Sequence, residues 1–344
     1  MKKKIASAVK VFLALGLGIL IIWLSLKDLT QEETNSIISS FKKANYFWVV
    51  LTILLGVLSH FIRSVRWSLL LKPMGYSPSH LNSFYCVMVG YFANLGIPRS
   101  GEVIRCSILY KVEKVPVEKS LGTVIIERTI DMLVFFLLSF LIIILEWNKI
   151  SDYVTQTILP KLSEKTDILF QNPLTIILII IAFLAFLIVL YKLRNRFFSS
   201  KIGKKIKELL LGLLEGLKSI GKIQFPLLFI FYTLSIWFLY YLMIYLCFFS
   251  LPQTENMGIS AGLSVLVLGA IGMMVTPGGL GLYPVIVAET LVLYGLSYES
   301  KIGIAMGYIA WGSQTLMIIL FGLISLTIVF LKKRKDEPLP KTEK

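Results

Sequence analysis

The sequence predicts an all-α protein that crosses a membrane several times. Three observations carry that prediction. Of the 344 residues, 56% are hydrophobic and 16% charged, which is far too apolar for a water-facing domain or a disordered chain. Several apolar runs approach or exceed the roughly 20 residues that span hydrocarbon as a helix. The runs are continuous rather than alternating, which excludes a membrane β-barrel. The formal net charge of +15 reads as topology and not as nucleic-acid binding, because Lys and Arg gather in cytoplasmic loops and at anionic headgroups. Cys86, Cys106 and Cys247 form no CxxC, and His60 and His80 share no ligand spacing. No disulfide frame, metal site or cofactor motif is read from them.

Lys2 to Lys4 precede the apolar run Val11 to Leu26. No small-residue cleavage site follows, so this run reads as a retained first helix and not a signal peptide. Residues 27–45 are polar and partly amphipathic. A second helix is predicted from about Tyr46 to Ser64, ending in Arg63, Arg66 and Trp67 as an interfacial flank. A short run, 82–97, passes into Asn94-Leu-Gly-Ile-Pro98-Arg99-Ser-Gly101-Glu102-Val-Ile-Arg105. Pro and Gly break helices, and charges at membrane depth are costly and usually functional. The segment 118–147 opens with Glu127, Arg128 and Asp131 and continues as an apolar span. A polar loop (148–172), a span from about Leu174 to Leu193 and a basic, surface-lying helix (194–222) follow. Then come a span at 225–250, an apolar run at 258–276, the break Pro277-Gly278-Gly279-Leu-Gly281 and a second run at 282–296. A last span, 302–331, and a polar tail, 332–344, complete the chain, which reads as one transmembrane domain.

The charges orient these elements. Residues 82–117 and 258–297 read as re-entrant hairpins, each entering and leaving on one side. With a cytoplasmic N-terminus, 28 of the 35 Lys and Arg then fall in cytoplasmic segments. That asymmetry places both termini in the cytoplasm of a plasma (inner) membrane protein. The halves 1–147 and 173–331 then repeat one order of elements (span, amphipathic stretch, span, hairpin, span) from opposite faces. This is the hydropathy pattern of an inverted repeat, whose broken tips meet near the midplane and form a substrate site. Free N–H groups at half-helix N-termini there favour anions.

Three motifs carry a family resemblance: Asn94 with Pro98, Arg99, Gly101, Glu102 and Arg105; Glu127-Arg128 with Asp131; and Pro277-Gly278-Gly279 with Gly281. In this order the chain resembles the flippase-like membrane domain family, the transmembrane region of lysylphosphatidylglycerol synthetase, also called the multiple peptide resistance factor. The resemblance implies an eight-helix-class domain that moves anionic or glycosylated lipids between leaflets. The full synthetase carries a soluble aminoacyl-transfer domain after its membrane helices. Here about a dozen residues follow the last span, so lipid aminoacylation is not expected. Many relatives place an acidic residue just after the Pro-Gly-Gly-x-Gly motif. This chain has Tyr283-Pro284 there, with Glu289 two turns on, and whether Glu289 replaces that residue is left open.

The candidate substrate-binding residues follow from these motifs. Arg99 and Arg105 suit a lipid phosphate because a guanidinium donates two hydrogen bonds at once. Glu102 either accepts from an arginine or binds a proton that couples transport, or it is a local pair with Arg105 at i, i+3, the reading preferred for Glu102 alone. Glu127 and Asp131 share a helix face and repel unless a cation lies between them, with Arg128 or an arginine of the first hairpin as partner. Arg63 and Arg66 read as anchors that extend a cationic vestibule only if their helix end faces the hairpin. The glycines of the second break either face substrate or only end a helix. His60 and the aromatics Trp237, Tyr240, Tyr241 and Tyr245 read as packing. The expected function is a membrane lipid transporter for an anionic or polyprenyl-linked lipid, with anionic lipids as partners and no nucleic acid. The chain holds no GxxxxGK[ST], so movement is downhill or ion-coupled. The alternative is an enzyme acting on polyprenyl-linked sugars, or an accessory partner of a lipid-modifying enzyme.

Overall fold

The computed structural model describes residues 27, 30–97, 100–153, 155, 225–297 and 300–336. The first apolar run, the 174–193 span, the basic helix 194–222 and the residues Pro98 and Arg99 lie outside them. The described residues form helices joined by turns and short irregular segments, with no strand among them. They fall in two compact units, one of residues 1–131 with 222–344, the other of residues 132–221.

In the first unit, α1 (Gln31–Lys43) starts at a capping box. The Thr30 hydroxyl accepts from the Glu33 amide, and the Glu33 carboxylate accepts from the Thr30 amide at 2.8 Å. That backbone bond holds the Glu33 carboxyl below its ordinary range. Glu32 and Glu33 in the first turn and Lys42 and Lys43 in the last match the helix dipole.

The long helix α2 runs Tyr46–Leu71, capped by Asn45, whose side chain accepts from the Phe47 amide. Its 26 residues make it about 39 Å long, enough to cross hydrocarbon. Its polarity is inside out. Thr52, Ser59, His60, Arg63, Ser64, Arg66 and Ser68 are buried, whereas Phe47 and Leu54 are 67% and 58% exposed. That is the pattern of a helix whose surroundings are oil and whose partners are polar. The sequence reading ended this helix near Ser64; it continues for two more turns, and this places Arg63 and Arg66 inside it.

The chain then forms two hairpins of broken helix. The first is α3 (His80–Gly96) and α4 (Gly101–Glu113). Its open end is tied by Glu113, whose carboxylate accepts from the Ser79 amide at 3.0 Å and the Asn82 amide group at 2.6 Å. At its tip, Asn94 reaches across the break, and its oxygen accepts from the Gly101 amide at 2.7 Å. This satisfies one of the free N–H groups that open α4. A Cβ on Gly101 would collide with the Gly90 carbonyl and with Asn94, so glycine sets how closely the helices cross. The helix α5 (Val117–Leu145) follows and belongs to the first unit as far as Asp131.

After α5 come α6 (Trp147–Tyr153), in the other unit, and α7 (Pro226–Phe248), which precedes the second hairpin. That hairpin consists of α8 (Ile259–Val275) and α9 (Leu282–Val292). Between them Pro277–Gly279 makes one 3₁₀ turn, and Gly278, Gly279 and Gly281 all take positive φ, the region that glycine enters without penalty. The open end is closed by Tyr294, whose hydroxyl meets Ser264 Oγ at 2.6 Å and donates to the Ser260 carbonyl. The last helix, α10, spans Ile302–Asp336.

Each hairpin has its own apolar core. Val87, Val89, Cys106 and Leu109 of the first pack with Trp67 and Val124, and Val265, Val287 and Leu291 of the second pack with Val49, Phe248 and Met306. The helices α2 and α10 contribute to both cores. They pass closely at Gly56, where a Cβ would lie 2.8 Å from Gln314 Oε1 and would make that side chain shift. Tyr46–Met74, Val117–Leu145, Pro226–Phe248 and Ile302–Lys332 are long and apolar enough to cross a membrane. The second unit contains the outer part of α5 and α6 (Trp147–Tyr153). There Leu137, Phe140 and Leu145 are exposed.

Candidate functional site

Arg63 and Arg66 are three residues apart on α2, so they share a face. Glu127 and Asp131 are four apart on α5 and share one as well. These two faces meet. Arg63 Nη1 donates to both carboxylates, at 2.7 Å to Glu127 Oε1 and 2.9 Å to Asp131 Oδ2. Arg66 grips Asp131 with both nitrogens, Nη1 to Oδ1 at 2.7 Å and Nη2 to Oδ2 at 3.1 Å. This is the fork-to-fork geometry of a strong charge-assisted pair. Arg105 of α4 takes the other oxygen of Glu127 at 3.0 Å. All five side chains are buried, Arg66 and Glu127 completely.

The helix α7 finishes the cluster. The Tyr240 hydroxyl accepts from Arg63 Nη2 at 3.1 Å, and Thr233 Oγ1 accepts from Arg66 Nη1 at 3.0 Å. Aromatic faces cover the guanidiniums. Arg105 lies 4.6 Å from the Trp67 ring centroid and Arg66 5.4 Å from that of Phe229. Three arginines face two carboxylates, so the cluster carries a formal charge of one in excess. The Nε atoms of Arg63, Arg66 and Arg105 are buried without a hydrogen-bond partner.

Two spaces adjoin the cluster. A narrow cleft at the first tip is bounded by Tyr91, Asn94, Gly101, Glu102, Arg105 and Arg128. A cavity of about 270 Å³ lies among α2, α3, α7, α8, α9 and α10. Tyr91 borders both spaces, and Tyr240 lines the larger one while bonding Arg63.

These positions revise the sequence reading. Arg63 and Arg66 are not interfacial anchors; they are the centre of the buried network, because α2 runs on past them. Glu102 and Arg105 do not pair locally. Arg105 turns to the buried Glu127, and Glu102 turns to Arg128 at 2.8 Å, in a pair whose arginine side chain is 46% exposed. Of the two partners expected for Glu127 and Asp131, an arginine of the first hairpin, Arg105, does reach Glu127, Arg128 does not, and Arg63 and Arg66 supply the rest. Asn94, Gly101, Glu102, Arg105 and Arg128 do come together around the first tip.

The glycines of the second break stand apart from the charges, but not from the first tip. A Cβ on Gly278 would touch Leu95, and the Gly278 carbonyl accepts from Trp311 Nε1 at 2.7 Å. Glu289 is exposed on α9 and belongs neither to the cluster nor to the cavity wall. Thr233 was not singled out from the sequence, and Tyr240 was read as packing. The available signal was their spacing of seven residues, two turns, which places both polar groups on one face of an otherwise apolar helix.

Comparison with known proteins agrees with this architecture. A family model described as the lysylphosphatidylglycerol synthase TM region matches residues 11–331. The UPF0104 membrane protein MJ1078 of Methanocaldococcus jannaschii is 30% identical over 260 residues, covering 72% of this chain and 99% of the relative. A second protein of that organism, UPF0104 membrane protein MJ1595, is 32% identical over 112 residues, 32% of this chain and 33% of the relative. The chain thus matches about a third of the length of MJ1595. No solved structure matches. The chain is a multi-pass membrane protein and belongs to the family of the lysylphosphatidylglycerol synthase transmembrane region.

Proposed function

We propose that this protein moves a lipid with an anionic headgroup between the leaflets of the plasma membrane, the phosphate passing beside Arg63, Arg66 and Arg105. The observation that carries the reading is the excess of one positive charge in a buried cluster next to a broken helical hairpin. Unbalanced charge in an apolar setting is costly, and a monoanionic phosphodiester restores neutrality. Guanidiniums suit that ligand because they bind phosphate oxygens in pairs. The family's name, which includes a lipid, agrees with a lipid-related role.

In this reading the termini are cytoplasmic, residues 1–147 and 173–331 are inverted repeats, and the hairpins are re-entrant from opposite faces. Rocking of one repeat against the other alternates access. Asn94, Gly101, Glu102 and Arg128 form the entry to the cluster, Pro98 and Arg99 belong to the same site by their place in the sequence motif, and Pro277, Gly278, Gly279 and Gly281 shape the opposing tip that meets the first at Leu95. The enzyme alternative needs a free acidic pair for a metal. Glu127 and Asp131 are the pair the sequence offered, and guanidiniums occupy both.

Reconstitution into liposomes tests the proposal. Purified protein should speed transbilayer movement of a fluorescent phosphatidylglycerol over protein-free vesicles, and Arg105→Gln or Arg99→Ala should abolish the gain. Divalent-metal-dependent turnover of a lipid-linked sugar without lipid movement would favour the enzyme instead.

A further inference from the structure

The 270 Å³ cavity has a wall chemistry that names its occupant. Met243, Ile244, Leu266, Met273 and Ile318 supply hydrocarbon, and among the described residues no acidic or basic side chain other than His60 lines it. Two of its hydroxyls are turned to their own helices: Thr52 Oγ1 donates to the Val49 carbonyl at 2.8 Å and Ser313 Oγ to the Ala310 carbonyl at 2.9 Å. A third, Tyr240, is engaged by Arg63. The Gln314 amide, the Tyr91 and Tyr283 hydroxyls and His60 Nδ1, which has no hydrogen-bond partner, are the remaining polar groups, spread along a wall that is otherwise hydrocarbon. A wall so dominated by hydrocarbon favours apolar guests. Methionines let such a wall adapt to a flexible guest.

The cavity also shares a wall residue with the positive cluster. Tyr240 is shared between them, and Tyr91 stands between the cavity and the cleft holding Arg105. An apolar chamber that opens beside one uncompensated positive charge has the polarity of an amphiphile. We infer that the cavity is a chain-binding site that admits the first stretch of a lipid's hydrocarbon while the phosphate is held at the arginines. An engineered cavity of about 150 Å³ takes a six-carbon benzene ring, so this one takes roughly ten carbons. The lipid is thus recognised by the phosphate and the chain next to it, and not by its headgroup alone. This inference rests on the anion site proposed above.

A chain-length series decides it. The full chain in phosphatidylcholine nanodiscs is titrated by calorimetry with butyl, hexyl and octyl phosphate and with glycerol phosphate, with empty nanodiscs subtracted. Binding should tighten about three- to fourfold per added methylene, and glycerol phosphate should bind more weakly than butyl phosphate. Filling the cavity with Ala270→Phe, or separately with Ala310→Phe, should flatten the series, provided the variant keeps a cooperative melting transition. If neither variant folds, the wild-type series alone decides. Equal affinity for butyl and octyl phosphate would overturn the chain site while leaving the anion site standing. So would an unchanged slope in both filled variants, or glycerol phosphate as the tightest probe. Failure of every phosphate to bind would overturn both readings.

Discussion

The two hairpins share a plan and differ in material. Each is two short helices around a break, with its open end tied by a side chain, Glu113 in one and Tyr294 in the other. The first hairpin lies beside the buried charges. It sends Arg105 to Glu127, and its tip depends on a side-chain cap and a close crossing at Gly90 and Gly101. The second tip brings no charge. It consists of a turn whose positive φ angles glycine adopts without strain and a carbonyl held by Trp311. The difference separates two tasks. One hairpin supplies electrostatics, and the other supplies a shaped backbone that presses on the first at Leu95.

Substitutions can break or sharpen this contrast. The largest effect is expected for Glu127→Ala, which leaves three arginines with Asp131 alone. Removing one partner of a buried ion pair costs about 3–5 kcal/mol, read as a lower melting temperature of the purified protein. A loss no larger than that of a surface change would mean the charges are solvated, and the contrast would fail. Next come the glycines, at about 1–3 kcal/mol each, although for different reasons. Gly101→Ala should destabilise by collision with the Gly90 carbonyl, and Gly279→Ala by a φ of 77° together with the nearby Met273 sulfur. Chemical denaturation should show both, and tolerance of either would remove that glycine's assigned role. Trp311→Phe deletes the hold on the Gly278 carbonyl and should cost about 1 kcal/mol. The smallest effect is reserved for Glu102→Gln. Its partner Arg128 is half exposed, and exposed pairs contribute about 0–1 kcal/mol. A loss comparable to that of Glu127→Ala would place Arg128 inside the network.

Much of this fold is legible in the sequence, because hydropathy and chain breakers act locally. The spans near 118–147, 225–250 and 302–331 and the breaks after Gly96 and Val275 emerge close to where composition places them. The site is legible only in part. Arg63 and Arg66 look like the end of a span because charges usually stop one, and only the carboxylates of another helix make it possible to continue α2 through them. Glu102 and Arg105 have ideal local spacing, yet each finds a partner more than 20 residues away. Pairing in a low-dielectric core is decided by which groups are buried together, and sequence distance carries no record of that. At the first tip Asn94, Gly101 and Arg105, which one sequence motif groups, do come together, although the cap and the close crossing at Gly90 are visible only in the structure.

The central claim is that one uncompensated positive charge selects the cargo. The most direct measurement compares transbilayer movement of a fluorescent phosphatidylglycerol and a matched phosphatidylcholine in the same proteoliposomes, for the wild type and for Arg105→Gln. That change leaves two arginines facing two carboxylates, while the glutamine amide can still donate to Glu127. The wild type should favour the anionic lipid by roughly tenfold or more, the ratio that ~1.4 kcal/mol sustains, and Arg105→Gln should erase the preference. Equal rates for the two lipids in the wild type, or a preference that survives Arg105→Gln, would contradict it.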